Sequence, residues 1–328
     1  MRFLVHRLGF FVLTLWAAIT VNFFIPRLMP GDPASAMMAR FHGRLNPTAI
    51  HAMEVAFGID THQSVWAQYV AYLHNTVTGD FGTSLTYFPL SVGSQIAQAA
   101  PWTLGLIGVV TVLAFLGGTL IGTIAGWKRG GAVDSVLPPV FVVTSALPYF
   151  WVGMMLILFF SVWTNGALPN DGAYGLDSVP SFSLPFIGDV LQHALLPALT
   201  ILITSVGGWI LTMRNNMLTV LAEDYVRMGR AKGLSPRRIM YSYAARNAML
   251  PNLAGFAMSL GFVVAGAILV EYVFNYPGLG YMLLNAVNNL DYPLMQALFL
   301  MITVAVLVAV LLCDILTAWL DPRARSAS

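Results

Sequence analysis

Six of the sixteen lysine and arginine residues of this chain lie in one stretch, "DYVRMGRAKGLSPRRIMYSYAARNAMLP", which runs from Asp224 to Pro251. There Arg227, Arg230, Lys232, Arg237, Arg238 and Arg246 alternate with Tyr225, Met228, Leu234, Ile239, Met240 and Tyr241, and Glu223 precedes them. Cations in such a run do binding chemistry, and two kinds of partner suit it. Clustered Arg and Lys bind anionic headgroups at a membrane surface; charge alone favours that reading. The Tyr and Met residues between the charges point instead to a protein contact, where aromatic, Met and Arg side chains are enriched. Glu271 and Asp314 are carboxylates inside apolar runs. At membrane depth such a group is either a pathway or gate residue or one satisfied by local hydrogen bonds and capping.

Other chemistries are excluded by what the sequence lacks. The two lysines, Lys128 and Lys232, follow Trp127 and Ala231 rather than a phosphate-cradling G-x-x-x-x-G-K-[ST] loop, so no ATP site of that kind is present. Neither H-E-x-x-H nor G-x-S-x-G occurs, and the six histidines show no metal-ligand spacing. The single cysteine, Cys313, rules out an intrachain disulfide or a CxxC centre and reads as a small buried hydrophobe. The chain is accordingly expected to be neither an enzyme nor a metal protein, with no cofactor of its own and no nucleic-acid partner.

The elements that must carry these residues are membrane spans. Hydrophobic residues make up 58% of the 328, charged ones only 9%, and mean hydropathy is +0.75, whereas a soluble domain is about 45–50% apolar. Apolar runs long enough for a hydrocarbon core fall at about 8–26, 101–126, 136–163, 191–212, 251–275 and 294–319. Although Arg2, His6, Arg7 and the "ASA" at 34–36 imitate a secretory signal, the first apolar core exceeds a usual h-region and is kept as a span. With six spans, 13 of the 16 basic residues fall on one side; the exceptions are Arg27, Arg40 and Arg44. Positive charge marks the cytoplasmic side, so both termini and the 213–250 segment are expected there. The fold class is an all-α polytopic membrane protein. Its parts are an N-terminal span with an external amphipathic region (1–96), a core (97–319) and a tail (320–328).

Several local patterns refine this. "NPTAIHAMEVAFGI" reads as a short external helix capped by Asn46, and "SVWAQYVAYLHNTV" puts Trp66, Tyr69, Val70, Leu73 and Val77 on one face, for core packing or an interfacial position. Gly118, Gly122 and Gly126 form overlapping GxxxG repeats that let a neighbouring helix approach. Pro138, Pro139 and Pro148 predict a kinked or irregular third span. In the basic stretch, "NMLTVLAEDYVRMGRAKG" reads as one helix stopped by Gly233; "SPRRIMYSYAARNAML" restarts with Ser235 as N-cap and Pro236 at the first helical position, and Pro251 marks entry to the fifth span. The prediction is two short amphipathic helices joined at Gly233-Leu234.

The stretch "EDYVRMGRAKGLSPRRIMYSYAARNAMLP" resembles the cytoplasmic coupling motif, the EAA loop, of inner-membrane permeases of binding-protein-dependent ABC importers, in the variant of the dipeptide/oligopeptide/nickel group. "LMPGDPA", "WAQYVAYLHNTVTGDFGTS", "EYVFNYPGLG", "DYPLMQALFL" and "AWLDPRAR" resemble further hallmarks of the first permease of that group, in the right order. One departure is visible: Arg227-Met228-Gly229 stands where the generic motif opens with Glu-Ala-Ala, and Leu250-Pro251 lies far beyond Gly233. The resemblance implies a type I importer permease core of the MetI-like kind in the cell (inner) membrane. It implies ATPase coupling by Glu223, Asp224, Tyr225, Arg227, Arg230, Lys232, Gly233, Leu234, Ser235, Arg237 and Arg238. The implied partners are a homologous second permease, one or two kinds of ABC ATPase subunit that bind the ATP and Mg, an external solute-binding protein and the lipid bilayer. Peptides are the expected solute, with oligosaccharides and then nickel as alternatives. A stand-alone secondary carrier, or an anchor that only scaffolds cytoplasmic proteins, are the readings from other classes.

Overall fold

The computed structural model describes residues 2–29, 63–265 and 268–320. The predicted helix capped by Asn46, the "PGDPA" part of the first motif and the basic tail with Arg323 and Arg325 lie outside the described residues. Those described are largely helical, with one isolated bridge between Thr83 and Ser91. In chain order the helices are α1 (Arg2–Leu28), α2 (Val65–Thr78), α3 (Val92–Trp127), α4 (Ala132–Ala146), α5 (Tyr149–Val162), α6 (Leu184–Leu221) and α7 (Asp224–Ala231). A continuous helical run α8 then passes from Pro236–Arg238 through a π-helical stretch, Ile239–Ala245, into Arg246–Val263. It is followed by α9 (Ile268–Val273), α10 (Leu279–Asn288) and α11 (Tyr292–Leu320).

Four of these, α1, α3, α6 and α11, are long and apolar enough to cross a membrane, and α4 with α5 makes a fifth if the bent pair is one span. The bend is 95°, and its cause is local. Leu147, the residue before Pro148, is extended (φ −77°, ψ 136°), as the steric demand of a following proline requires. Pro138 and Pro139 sit within α4 without ending it, so of the three prolines expected to distort this span, Pro148 makes the break. The expected fifth span over 251–275 is not one helix. The last part of α8 is 18 residues long, opens with Arg246 and Asn247, and stops at Val263; the chain restarts as α9, which carries Glu271 to the start of α10.

The two longest spans form the central pair. Along α3 the GxxxG glycines do what their spacing predicts. A Cβ added at Gly118 would meet Val206 O at 3.0 Å, one at Gly122 Met213 Cβ at 2.8 Å, and one at Gly126 Arg214 O at 3.0 Å, so α3 and α6 meet backbone to backbone. Helix α4 abuts α6 equally closely, because a Cβ at Gly207 would lie 2.8 Å from Phe141 O. On the other side of the bundle α8 and α1 both pack on α11. Asn22 Nδ2 donates to Gln296 O at 2.7 Å and to Tyr72 OH at 3.1 Å, which ties α1 to both α11 and α2.

Helix α2 packs only part of its predicted stripe, Tyr69 and Leu73, on the bundle. Tyr69 is buried, Tyr72, Leu73 and Thr76 are half-buried, and Trp66, Val70 and Val77 stand exposed. The reason is polar: Tyr69 OH shares a 2.7 Å hydrogen bond with Thr20 Oγ1, and Tyr72 OH accepts from Asn22. These bonds rotate the tyrosines inward at the expense of the valines.

Candidate functional site

The arginine-rich end is built by α6, α7, α8 and the turn after α3. Two expectations for it are corrected. The sequence "NMLTVLAEDYVRMGRAKG" is not one helix: α6 ends at Leu221, Glu223 is extended (φ −69°, ψ 146°) as the first flanking residue of α7, and α7 turns off from Asp224. A segment this polar cannot follow an apolar span and still bury a stripe of its own; leaving the axis lets Val226 and Gly229 pack inward, with a Cβ at Gly229 lying 3.8 Å from Tyr243 Cδ1. The second predicted short helix is the opening of α8. Pro251 lies inside Arg246–Val263, where a proline removes one backbone donor without starting a new element.

The turn between α7 and α8 closes as a Schellman motif. Gly233 has φ +72°, Gly233 N donates to Arg230 O at 3.0 Å and Leu234 N donates to Gly229 O at 3.3 Å. Leu234 folds back so that its Cδ1 lies 3.7 Å from a Cβ at Gly229, the apolar contact that accompanies this motif. Ser235 occupies the cap position with extended backbone and Pro236 follows, but the Ser235 side chain makes no capping bond. Lys232 is the flanking residue of α7, while Asp224 and Arg227 form a 3.5 Å pair on an open face. An exposed pair of this kind contributes little to stability.

The result is a rigid, solvent-facing array. Glu223, Asp224, Tyr225, Arg227, Arg230, Lys232, Gly233, Ser235, Arg237 and Arg238 are exposed, Leu234 is half-buried, and Met228 and Tyr241 stand out beside the cations. Ile239 and Met240, expected on the same surface, point inward instead, where they and neighbouring Ala244 anchor the start of α8. Below them Met213, Met217, Ala244 and Ala248 form a small core. Tyr225 OH accepts from Asn247 Nδ2 at 2.9 Å, and the Arg230 guanidinium lies over the Trp127 ring, 5.9 Å from its centroid. Two members of the array are thereby fastened to the bundle.

Glu271 lies elsewhere, fully buried. Its Oε1 accepts from Thr103 Oγ1 at 2.7 Å, and its Oε2 accepts from Gly280 N at 2.7 Å and Tyr281 N at 3.1 Å. Thr103 Oγ1 in turn accepts from Leu279 N at 2.7 Å. The first three N–H groups of α10, which have no partner within their own helix, are therefore all taken by Thr103 and Glu271. The negative charge also sits at the positive end of the helix dipole. Gly278 packs directly against the carboxylate, leaving no room for a side chain. Nearby, burial first and then the charge of Glu271 push the Tyr276 phenol up to about 12.

Thr103 and Trp127 both lie on α3, roughly 35 Å apart at 1.5 Å per helical residue. The carboxylate and the arginine array are thus not brought together. Asp314 lies on α11, but its side chain is outside the described residues.

Two carboxylates emerge that sequence reasoning did not single out. Asp291 is fully buried: its Oδ2 accepts from Ser84 Oγ at 2.5 Å and Thr86 N at 2.7 Å, and its Oδ1 caps α11 through Leu294 N at 3.2 Å. The "GDFGTS" turn and the "DYPLMQ" motif, far apart in sequence, meet in this one side chain. Asp with a proline two residues on, ahead of an apolar run, was the available signal. Asp134 pairs with Arg214 between α4 and α6, and nothing in its local sequence predicts that long-range partner.

Comparison with known proteins places these features in context. The family model described as "Binding-protein-dependent transport system inner membrane component" matches residues 118–326, and the corresponding N-terminal model matches residues 1–91. The chain is 34% identical over 339 residues to the di/tripeptide transport system permease protein DppB of Pseudomonas aeruginosa, with 99% of each chain covered. It is 31% identical over 340 residues to the dipeptide transport system permease protein DppB of Escherichia coli K12, again with 99% coverage of each. To the oligopeptide transport system permease protein AppB of Bacillus subtilis it is 32% identical over 303 residues, 92% of each chain.

Proposed function

This chain belongs to the binding-protein-dependent transport system inner membrane components, and on that premise we propose that it is a pore-forming permease subunit of an ABC importer for peptides. The observation that carries the coupling role is the arginine array on α7 and the start of α8. Its backbone is closed by the Schellman turn at Gly233, and its cations and exposed Tyr225, Met228 and Tyr241 face outward. A lipid-binding segment needs only charge, whereas docking in a protein groove needs charge, aromatic surface and rigidity together. The partners are a second, homologous permease, ABC ATPase subunits that bind the ATP and Mg, and an external solute-binding protein.

In this reading the bundle contributes six spans, the bent α4–α5 pair and α8 with α9 each counting as one, and both termini are cytoplasmic by the distribution of Arg and Lys. Closure of the ATPases displaces α7, and the displacement passes through α8 and the end of α6 into the spans. Peptide is preferred over oligosaccharide or nickel because the relatives described above are named for peptides. Glu271 is read as a structural cap rather than a gate, since its oxygens are already occupied by Thr103 and the start of α10. The test is reconstitution of this chain with its partner permease, ATPases and peptide-loaded binding protein in vesicles. ATP-dependent uptake of labelled di- or oligopeptide is expected, and uptake by this chain alone would overturn the assignment in favour of a carrier.

A further inference from the structure

At the arginine-rich end, four side chains link α7 to the bundle by a route separate from the chain itself. Arg230 of α7 lies over the Trp127 ring, 5.9 Å from its centroid, within the range of a cation–π attraction. Trp127 ends α3, and the chain then turns through Lys128, Arg129, Gly130 and Gly131, with Gly130 at φ +76° and Gly131 N donating to Lys128 O at 2.9 Å. The turn is fixed from its far side: Gly130 N donates to Asp134 Oδ2 at 2.8 Å. Asp134, buried at 9% exposure, also receives Arg214 of α6, Nε on Oδ1 and Nη2 on Oδ2 at 3.2 Å. Arg214 Nη1 donates further to Asn215 Oδ1 at 3.2 Å.

We propose that Asp134 and Arg214 are positioning residues of energy coupling: they hold the Trp127–Asp134 turn as a fixed seat for Arg230, so that α7 drives α3, α4 and α6 as one body. Three observations support this. Helices α3 and α6 cannot slip past one another where Gly118, Gly122 and Gly126 meet the α6 backbone, and α4 is locked to α6 at Gly207. The 128–131 turn, directly after the Trp127 that Arg230 lies over, joins α3 to α4, and the Asp134–Arg214 pair ties that turn to α6 through Gly130 N. The Asp134–Arg214 pair is part-buried, with the side chains 6% and 24% exposed, and its two-pronged geometry fixes Asp134 against α6.

The inference rests on the importer reading, and its test separates the two. In the reconstituted complex, ATP hydrolysis is measured with and without peptide-loaded binding protein, together with peptide uptake, for the wild type, Asp134→Asn, Trp127→Leu and the conservative variant Asp134→Glu. Asp134→Asn and Trp127→Leu are each expected to lower the ratio of stimulated to unstimulated hydrolysis by about fivefold or more, the size of a typical coupling term. Asp134→Glu keeps a carboxylate to accept from Gly130 N and Arg214 and is expected to restore most of the ratio lost in Asp134→Asn, which a purely local packing role would not produce. If Asp134→Asn fails to assemble, Trp127→Leu, which leaves the ion pair intact, decides alone. An unchanged ratio in the variants that assemble overturns the relay. A wild-type complex that is stimulated but moves no peptide overturns the peptide reading and leaves the relay standing.

Discussion

At the scale of single residues, this chain uses buried carboxylates to begin helices. Glu271 serves α10 and Asp291 serves α11, each accepting from backbone N–H groups that a helix start leaves open. Replacing Thr103 with Val removes a donor to Glu271 and the acceptor for Leu279 N at once. It is therefore expected to lower stability by about 1–3 kcal/mol, the range for stranding buried hydrogen-bonding groups, measured as thermal unfolding in detergent. Gly278→Ala is expected to be worse than Gly208→Ala. The first drives a methyl into the Glu271 carboxylate, while the second enters open space; comparable unfolding temperatures for the two variants would contradict the packed-cap geometry. Glu271→Gln keeps the shape and removes the charge, and peptide uptake by it is expected to show the same pH profile as the wild type. A shifted profile would return Glu271 to the transport pathway. The sequence showed that Glu271 was unusual, because a carboxylate in an apolar run is legible from composition. It could not show the answer, because Thr103 lies 168 positions away.

At the scale of elements, the features that depend on neighbours in the chain were legible and those that depend on distant partners were not. The Gly233 stop, Pro236 at a helix start and the close approach at Gly118, Gly122 and Gly126 follow from local sterics, and the structure has all three. The break at Ala222-Glu223 and the inward Tyr69 and Tyr72 of α2 follow from tertiary needs: a stripe to bury and tyrosine hydroxyls to satisfy. Two predictions belong here. Gly233→Val places a β-branched residue at φ +72°, a left-handed conformation that costs about 1–2 kcal/mol without glycine. The turn between α7 and α8 should then open, and stimulation of ATP hydrolysis by loaded binding protein should be lost while the chain still inserts in the membrane. Gly122→Leu acts one layer deeper, since even a Cβ there lies 2.8 Å from Met213 Cβ and 3.1 Å from Arg214 N. Helices α3 and α6 must separate, and assembly itself is expected to fail, seen as loss of the purified complex.

At the scale of the whole molecule, the distribution of charge and apolar surface argues that this chain is one part of a machine. The α7–α8 array is a folded, outward-facing surface with cations and exposed Met228 and Tyr241, and it is tied to the spans by Asn247, Trp127 and the Met213–Met217 core. In the proposed importer such a surface acts only when an ATPase pushes on it. The expected outcome follows for subsets of the complex. Vesicles containing only this chain should show no peptide uptake at any peptide concentration gradient. Those with both permeases but no ATPases should be equally silent, and uptake should appear only when ATPases, ATP and loaded binding protein are all supplied. Adding salt to the purified complex should release the ATPases more readily as ionic strength rises, because cations at the rim of a contact are screened over about 10 Å at 0.1 M. Retention should depend on Arg237 and Arg238, which are exposed to such screening. If Arg237→Ala/Arg238→Ala bound the ATPases with unchanged salt sensitivity, the array would not be the docking surface, and the push would have to enter the bundle elsewhere.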